Sequence, residues 1–102
     1  MSFRITILCE NSVGPLSGTL GEHGFSALIE PSHGDPLLFD TGQGLTLLHN
    51  ARRMNKNLAN VKQVVLSHGH FDHTGGLMPL PRLDSPSCSS PVAALRRYVC
   101  TA

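Results

Sequence analysis

Val61-Lys62-Gln63-Val64-Val65-Leu66-Ser67-His68-Gly69-His70-Phe71-Asp72-His73-Thr74-Gly75-Gly76 is the stretch that decides how this 102-residue chain folds and what chemistry it can hold. Val61 to Leu66 is rich in β-branched residues, as a buried strand is. It runs into a glycine-containing loop where four metal-capable side chains, His68, His70, Asp72 and His73, fall within six residues. Divalent ions such as zinc take neutral imidazole and carboxylate donors at about 2.0–2.2 Å, so several side chains must converge on one point. His68 and His70, at i and i+2 on an extended segment, project to the same side. Gly69 between them lets the backbone bend with no side chain in the way. Asp72 and His73 follow after a further turn and aim at a neighbouring point. Two donor pairs on one loop suit two ions a few ångströms apart, an arrangement that lowers the pKa of a shared water toward about 7. A solvated histidine-rich loop without metal is the alternative reading of the same residues.

Upstream, Phe3, Ile5, Ile7 and Cys9 alternate with Arg4 and Thr6, which predicts a half-buried strand. Asn11 to Gly24 is rich in Gly, Ser and Pro and reads as loop. Phe25 to Glu30 and Leu37 to Asp40 predict two strands of a hairpin, joined by the turn Pro31-Ser32-His33-Gly34-Asp35-Pro36. Thr41-Gly42-Gln43-Gly44 then leads into a helix. In it Leu45, Leu48 and Arg52 share one face, and Leu47, Ala51 and Met54 an adjoining one. Asn55 to Asn60 closes that helix. The order strand, hairpin, helix, strand predicts an α/β fold with a mixed sheet and a helix packed on it. From Pro79 onward, Pro79, Pro81, Pro86 and Pro91 stand among several serines, which predicts an irregular tail. Within that tail Val92 to Val99 carries the pattern of a short terminal helix.

Composition bounds the function classes. The length sets one domain as the ceiling. The formal net charge is +1 with scattered Lys and Arg, so no basic stripe argues for nucleic acid. No apolar run approaches the roughly 18 residues that span a bilayer, and no signal-peptide core opens the chain. The expectation is a cytoplasmic protein with no membrane association. Cys9, Cys88 and Cys100 show no CxxC spacing. Cys9 reads as a small buried residue, and Cys88 and Cys100 as free thiols, with a disulfide between them as the alternative.

The chain resembles the metallo-β-lactamase superfamily. The carrying residues are the HxHxDH pattern His68 to His73 after a strand, the continuation Thr74-Gly75-Gly76-Leu77, and the strand Leu38-Phe39 ending in Asp40-Thr41-Gly42. Glu10-Asn11, Glu22-His23-Gly24-Phe25-Ser26, Asp40-Thr41-Gly42-Gln43 and Leu48-His49-Asn50-Ala51 are similar to one subgroup. That subgroup is named for dihydropterin ribofuranosylaminobenzene phosphate synthase and includes many metal-dependent hydrolases. The resemblance covers about residues 4 to 77. It implies that His68 and His70 bind a first ion and Asp72 and His73 a second, zinc foremost, with manganese or iron as alternatives. It further implies that Asp72 acts on the reacting water, that Asp40 is a structural residue hydrogen-bonded to the metal loop, and that Gly69, Thr74, Gly75 and Gly76 shape that loop. His23 lies in a loop the resemblance places near the site, although by itself it reads as a surface histidine. His33 and His49 read as surface residues.

A complete domain of this superfamily is an αββα sandwich of about 200 residues or more, with further ligands downstream. After Gly76 this chain has no histidine, and its single carboxylate is Asp84. Residues 1–78 therefore read as the N-terminal half of such a sandwich, and 79–102 as a Pro/Ser-rich tail of unrelated or disordered character. Truncation is the simplest account. The expected function is a metal-dependent hydrolase acting on a small-molecule substrate through metal-activated water, incomplete as it stands. A non-catalytic metal-binding fragment and a pterin-related phosphoribosyl synthase are the alternatives. A half-sandwich would also leave sheet surface open to self-association.

Overall fold

Two antiparallel strands, a parallel crossover and a metal-type loop follow one another along the chain. The computed structural model describes residues 2–77, 79–80, 87–92 and 97–101. In chain order the elements are β1 (Phe3–Cys9), β2 (Ser26–Pro31), β3 (Leu37–Phe39), α1 (Leu47–Arg53), a 3-10 turn (Leu58–Asn60), β4 (Gln63–Leu66), α2 (Phe71–Thr74), β5 (Ser87–Val92) and β6 (Arg97–Thr101). The strands form one mixed sheet in the order β1-β2-β3-β4-β6-β5. β2 and β3 pair antiparallel as the expected hairpin, with Leu28 opposite Leu38. β3 and β4 are parallel, with Leu38 opposite Val64, and a parallel pair needs a long crossover, which α1 supplies. That crossover sets the ends of β3 and β4 side by side, Phe39 beside Val65.

The period-2 alternation of the strands puts Leu28, Leu38 and Val64 on one face, where α1 adds Leu47 and Ala51. Leu58 and Val61 from the segment before β4, and Leu80, complete this core. Fully burying one such side chain contributes roughly 1.5–3 kcal/mol. The helix is shorter than its sequence pattern suggests. Leu45 lies before it and is exposed, and the buried stripe is Leu47, Asn50 and Ala51. α1 ends in a Schellman motif, with Asn55 at a φ of 58°, its N–H on Arg52 O, and the Lys56 N–H on Ala51 O at 2.7 Å. Asn50 is a polar residue in the core because all its reach is used. It donates to Leu8 O (2.7 Å) and Leu20 O (2.8 Å) and accepts from Leu20 N (2.8 Å), which ties the long loop before β2 onto the helix.

β1 is half-buried in a different way from its alternation. Phe3, Ile5 and Ile7 stand on the face away from α1, at 60%, 64% and 41% exposure. The register shift between Ile7 and Cys9 then turns both Leu8 and Cys9 inward. Within the tail, the described residues Ser87–Val92 and Arg97–Thr101 form β5 and β6, with β6 antiparallel to β4. Pro91 is tolerated because β5 is the last strand of the sheet and pairs with β6 only across a register shift, where a missing N–H costs least. Val92 and Arg97 to Val99 lie in strands instead of the expected terminal helix; residues 93–96 lie outside the described residues. Cys88 stands opposite Cys100 in the β5–β6 register. Among the described residues, no helix is long and apolar enough to cross a membrane.

Cys9, at 1% exposure, is the small buried residue its strand setting predicts. Its Sγ lies 3.6 Å from Thr46 Oγ1. Burial pushes the thiol up from 9.0 to about 12, the Thr46 contact opposing this and the Glu22 carboxylate adding to it. The folded protein holds this proton more tightly than the unfolded chain. The resulting stabilisation is therefore complete below 9.0 and declines as pH rises from there toward 12. At about pH 8 the thiol should resist iodoacetamide in the native protein and react after denaturation. Peptide mapping by mass spectrometry checks this, and rapid native labelling at Cys9 would contradict it.

Candidate metal centre

Because β3 and β4 run parallel, the residues that leave them, Asp40 and Ser67, emerge next to each other. Asp40 N–H donates to Val65 O at 2.9 Å, and Ser26 Oγ donates to Asp40 O at 2.8 Å, so the backbone at 40 is held from both neighbouring strands. It adopts a φ of 56°, a left-handed conformation that Asp tolerates better than most residues. The buried carboxylate then meets the metal loop. Its Oδ1 accepts the Ser67 N–H (2.8 Å), and its Oδ2 accepts the Ser67 hydroxyl (2.7 Å). The same Oδ2 lies 2.7 Å from His73 Nδ1.

These contacts assign protons on the two imidazoles. A carboxylate can only accept, so His73 Nδ1 carries a hydrogen, and in the neutral ring the Nε2 lone pair is then the free one. The Ser67 hydroxyl has one hydrogen, and it goes to Asp40. Toward His68 Nδ1, 2.8 Å away, Ser67 Oγ is therefore an acceptor. His68 thus also carries its hydrogen on Nδ1 and presents a bare Nε2. One buried carboxylate, directly and through one hydroxyl, sets both imidazoles in the form a divalent ion requires.

His68, Asp72 and His73 each bring one donor atom into a group whose members all lie within 4.8 Å of one another. His73 Nε2 stands 3.4 Å from Asp72 Oδ2. Two imidazoles and a carboxylate, half-buried and oriented from behind, fit a divalent ion of the zinc kind. Of the expected pairs, Asp72 and His73 stand together, and His68 joins them in one group. His70 is exposed, its ring edge-on to that of His68 with centroids 4.6 Å apart. Its carbonyl oxygen accepts from His73 N, Thr74 N and Thr74 Oγ1, which starts α2 and gives Thr74 a part in shaping the loop. At Gly69 a Cβ would meet nothing within 4 Å, so the structure offers no steric reason for glycine there. His33 is exposed, and the exposed His49 places Nε2 2.9 Å from Gly18 O.

Two further segments press on the loop from behind. Thr41, fully buried, holds His73 O with both its N–H and its hydroxyl (2.8 Å each) and accepts the Gly76 N–H at 2.9 Å. A Cβ on Gly76 would collide with the Thr41 carbonyl, and one on Gly24 would stand 2.6 Å from Asp72 O. Glu22 is buried and accepts from Gln43 N (3.2 Å), Thr46 N (3.3 Å) and Thr46 Oγ1 (2.6 Å). Gln43 Nε2 in turn donates to His23 O. His23 reaches the site, with Nε2 3.3 Å from Asp72 Oδ2. Thr41 and Glu22 stand in stretches that carry the resemblance and Ser67 beside the histidine pattern, but none of them has a role legible in the sequence, because the partners that define it lie far away along the chain.

The family model described as the metallo-beta-lactamase superfamily matches residues 20–86. The chain is similar to 7,8-dihydropterin-6-methyl-4-(beta-D-ribofuranosyl)-aminobenzene-5'-phosphate synthase of Methanocaldococcus jannaschii, at 40% identity over 80 residues, covering 74% of this chain and 27% of that protein. It is similar to an uncharacterized protein of the same organism at 43% identity, covering 72% of this chain and 27% of the relative. Ribonuclease Z of Borreliella afzelii is 29% identical over 85% of this chain and 25% of its own length. The chain thus spans about a quarter of the length of these relatives.

Substituting Asp40→Asn keeps the shape and the tolerance for a left-handed backbone but brings an N–H₂ to a place that must only accept. Zinc affinity should fall by about 10- to 100-fold, as loss of an orienting partner does. Competition titration against a chromophoric chelator reads the change, and an affinity equal to that of the unsubstituted chain would refute the assigned role.

Proposed function

The chain belongs to the metallo-beta-lactamase superfamily, and from this premise we propose that it holds a divalent metal and carries part of a metal-dependent hydrolase site. The observation that supports this reading most strongly is the convergence of the His68, Asp72 and His73 donors within 4.8 Å. Zinc matches imidazole and carboxylate donors best, with manganese and iron as alternatives. Such an ion supplies Lewis-acid activation of water and of a polarised substrate oxygen. The chain's own contribution is orientation. His68 and His73 are held by Ser67 and Asp40 so that each aims Nε2 at one region. Asp72 carries the remaining charge at the centre and is the group that orients the reacting water and takes its proton. His70, exposed beside His68, completes the donor set by rotation of its side chain. The substrate proposed is a small molecule with an ester, phosphoester or amide-like bond.

The relative named Ribonuclease Z supports hydrolysis. The relative named as a synthase, at 40% identity, favours a second reading, in which the same centre serves a pterin-related phosphoribosyl synthase reaction. A third reading is metal binding without turnover, for which the grouping of His68, Asp72 and His73 is sufficient.

Elemental analysis of the purified chain after zinc loading separates these readings when paired with an assay of phosphodiester hydrolysis. The hydrolase account expects roughly one to two ions per chain, loss of metal in His70→Ala and His73→Ala, and zinc-dependent turnover abolished in Asp72→Asn. A zinc-loaded, folded chain without turnover would favour the metal-binding module. A folded chain that takes up no divalent ion would refute all three.

A further inference from the structure

The three cysteines of the chain stand in very different places in the sheet. Cys9 is buried in β1, and three strands, β2, β3 and β4, lie between β1 and β6. At about 4.8 Å per strand spacing, β1 is roughly 19 Å from β6, far beyond the Cα separation of about 7 Å that a disulfide can span. Burial also raises the Cys9 thiol from 9.0 to about 12, so it offers almost no thiolate near neutral pH. Cys88 and Cys100 are placed otherwise. The antiparallel register of β5 and β6 sets them directly opposite each other, between the pairs Ser87–Thr101 and Ser89–Val99.

Residues directly opposite in an antiparallel pair lie on one face of the sheet. Their Cα atoms are about 5.5 Å apart in a hydrogen-bonded pair and about 4.5 Å in the other kind. Both values fall inside the range of about 4.4–6.8 Å found for disulfide-bonded cysteines, so closure needs no change of register. The register shift of this strand pair comes further on, between Ser89 and Val92. The Cβ atoms of such pairs, about 4.5–5.5 Å apart, must close to about 3.8 Å, a strain that keeps the bond within reach of reductants. β5 is the last strand of the sheet, so the pair lies at its edge, where a small oxidant meets the fewest neighbouring strands.

We propose that Cys88 and Cys100 are a reversible redox pair, open as thiols under reducing conditions and closed to a cross-strand disulfide by a low-molecular-weight disulfide such as oxidised glutathione. One thiolate attacks the S–S bond of the oxidant and releases one thiol, and the other attacks the resulting mixed disulfide and releases the second. The chain loses two hydrogens with their electrons and gains one S–S bond, while the S–S bond of the oxidant is reduced to two thiols. Closure fixes β5 to β6. In turn β6 pairs with β4, Tyr98 opposite Leu66, so the cross-link acts on the sheet that leads into the histidine loop and uses none of its donors.

The test is thiol–disulfide equilibration of the full chain, kept metal-free with a chelator, against mixtures of reduced and oxidised glutathione near neutral pH. It is run with and without urea, quenched with N-ethylmaleimide and read by peptide mapping. The expected result is a Cys88–Cys100 linkage in the folded chain, reversed by dithiothreitol, with Cys9 left as a thiol. The ratio of closed to open pair should be at least about tenfold higher in the folded chain than in urea, because the register and not nearness along the chain sets the effective concentration. By linkage the closed chain then melts at a higher temperature than the open one, a difference absent from Cys88→Ser. An equal ratio in folded and unfolded chains would overturn the inference. So would alkylation of both cysteines at every glutathione ratio, or a disulfide that takes in Cys9.

Discussion

The carboxylate of Asp40 is the constraint on which the rest of the centre depends. It is almost wholly buried, a position that costs a charged group several kcal/mol unless hydrogen bonds replace its water. Ser67 N–H, Ser67 hydroxyl and His73 Nδ1 replace it, and all come from the segment that follows β4. The requirement to satisfy one buried anion therefore folds the histidine loop back over the end of β3. The same requirement fixes where the protons of His68 and His73 reside. Folding and metal competence are in this way two results of a single set of contacts.

That arrangement works only because the sheet brings two chain ends together. β3 and β4 are parallel neighbours through the α1 crossover, and the core residues Leu38, Val64 and Leu47 hold that pairing. Behind the donors, the packing is backbone on backbone. Thr41 binds the carbonyl of His73, Gly76 lies against Thr41, and Gly24 lies against Asp72. Side chains at either glycine would separate the layers and loosen the donors. The loop of Glu22 and His23 is joined to this assembly through Gln43 and Thr46, so the segment before β2 packs against it.

Much of this was legible from residue patterns. The β-branched run before Ser67, the hairpin of β2 and β3, and the donors His68, Asp72 and His73 are local features, and local features are what periodicity and spacing record. Other elements were not legible. A register shift in β1 turned Leu8 inward and left Phe3, Ile5 and Ile7 on the open face, which alternation cannot foresee. Pro91 read as a breaker, yet it sits on the outermost strand, where that objection is weakest. Ser67 and Thr41 are small polar residues of the commonest kind. Their roles exist only because residues 40 and 67 meet in space. His23 shows the same limit, since its residue pattern gives only a surface histidine, and it was the resemblance that placed its loop near the site, where it touches Asp72.

The account's central claim is that Asp40 dictates the tautomers of two imidazoles before any ion arrives. Long-range nitrogen–proton correlation NMR on the metal-free chain, at a pH where imidazoles are neutral, observes those tautomers directly. The account predicts His68 and His73 both protonated at Nδ1, in contrast to the Nε2-protonated form at histidines without such partners. Nε2 protonation at either residue, or free exchange between the two forms at both, would contradict it.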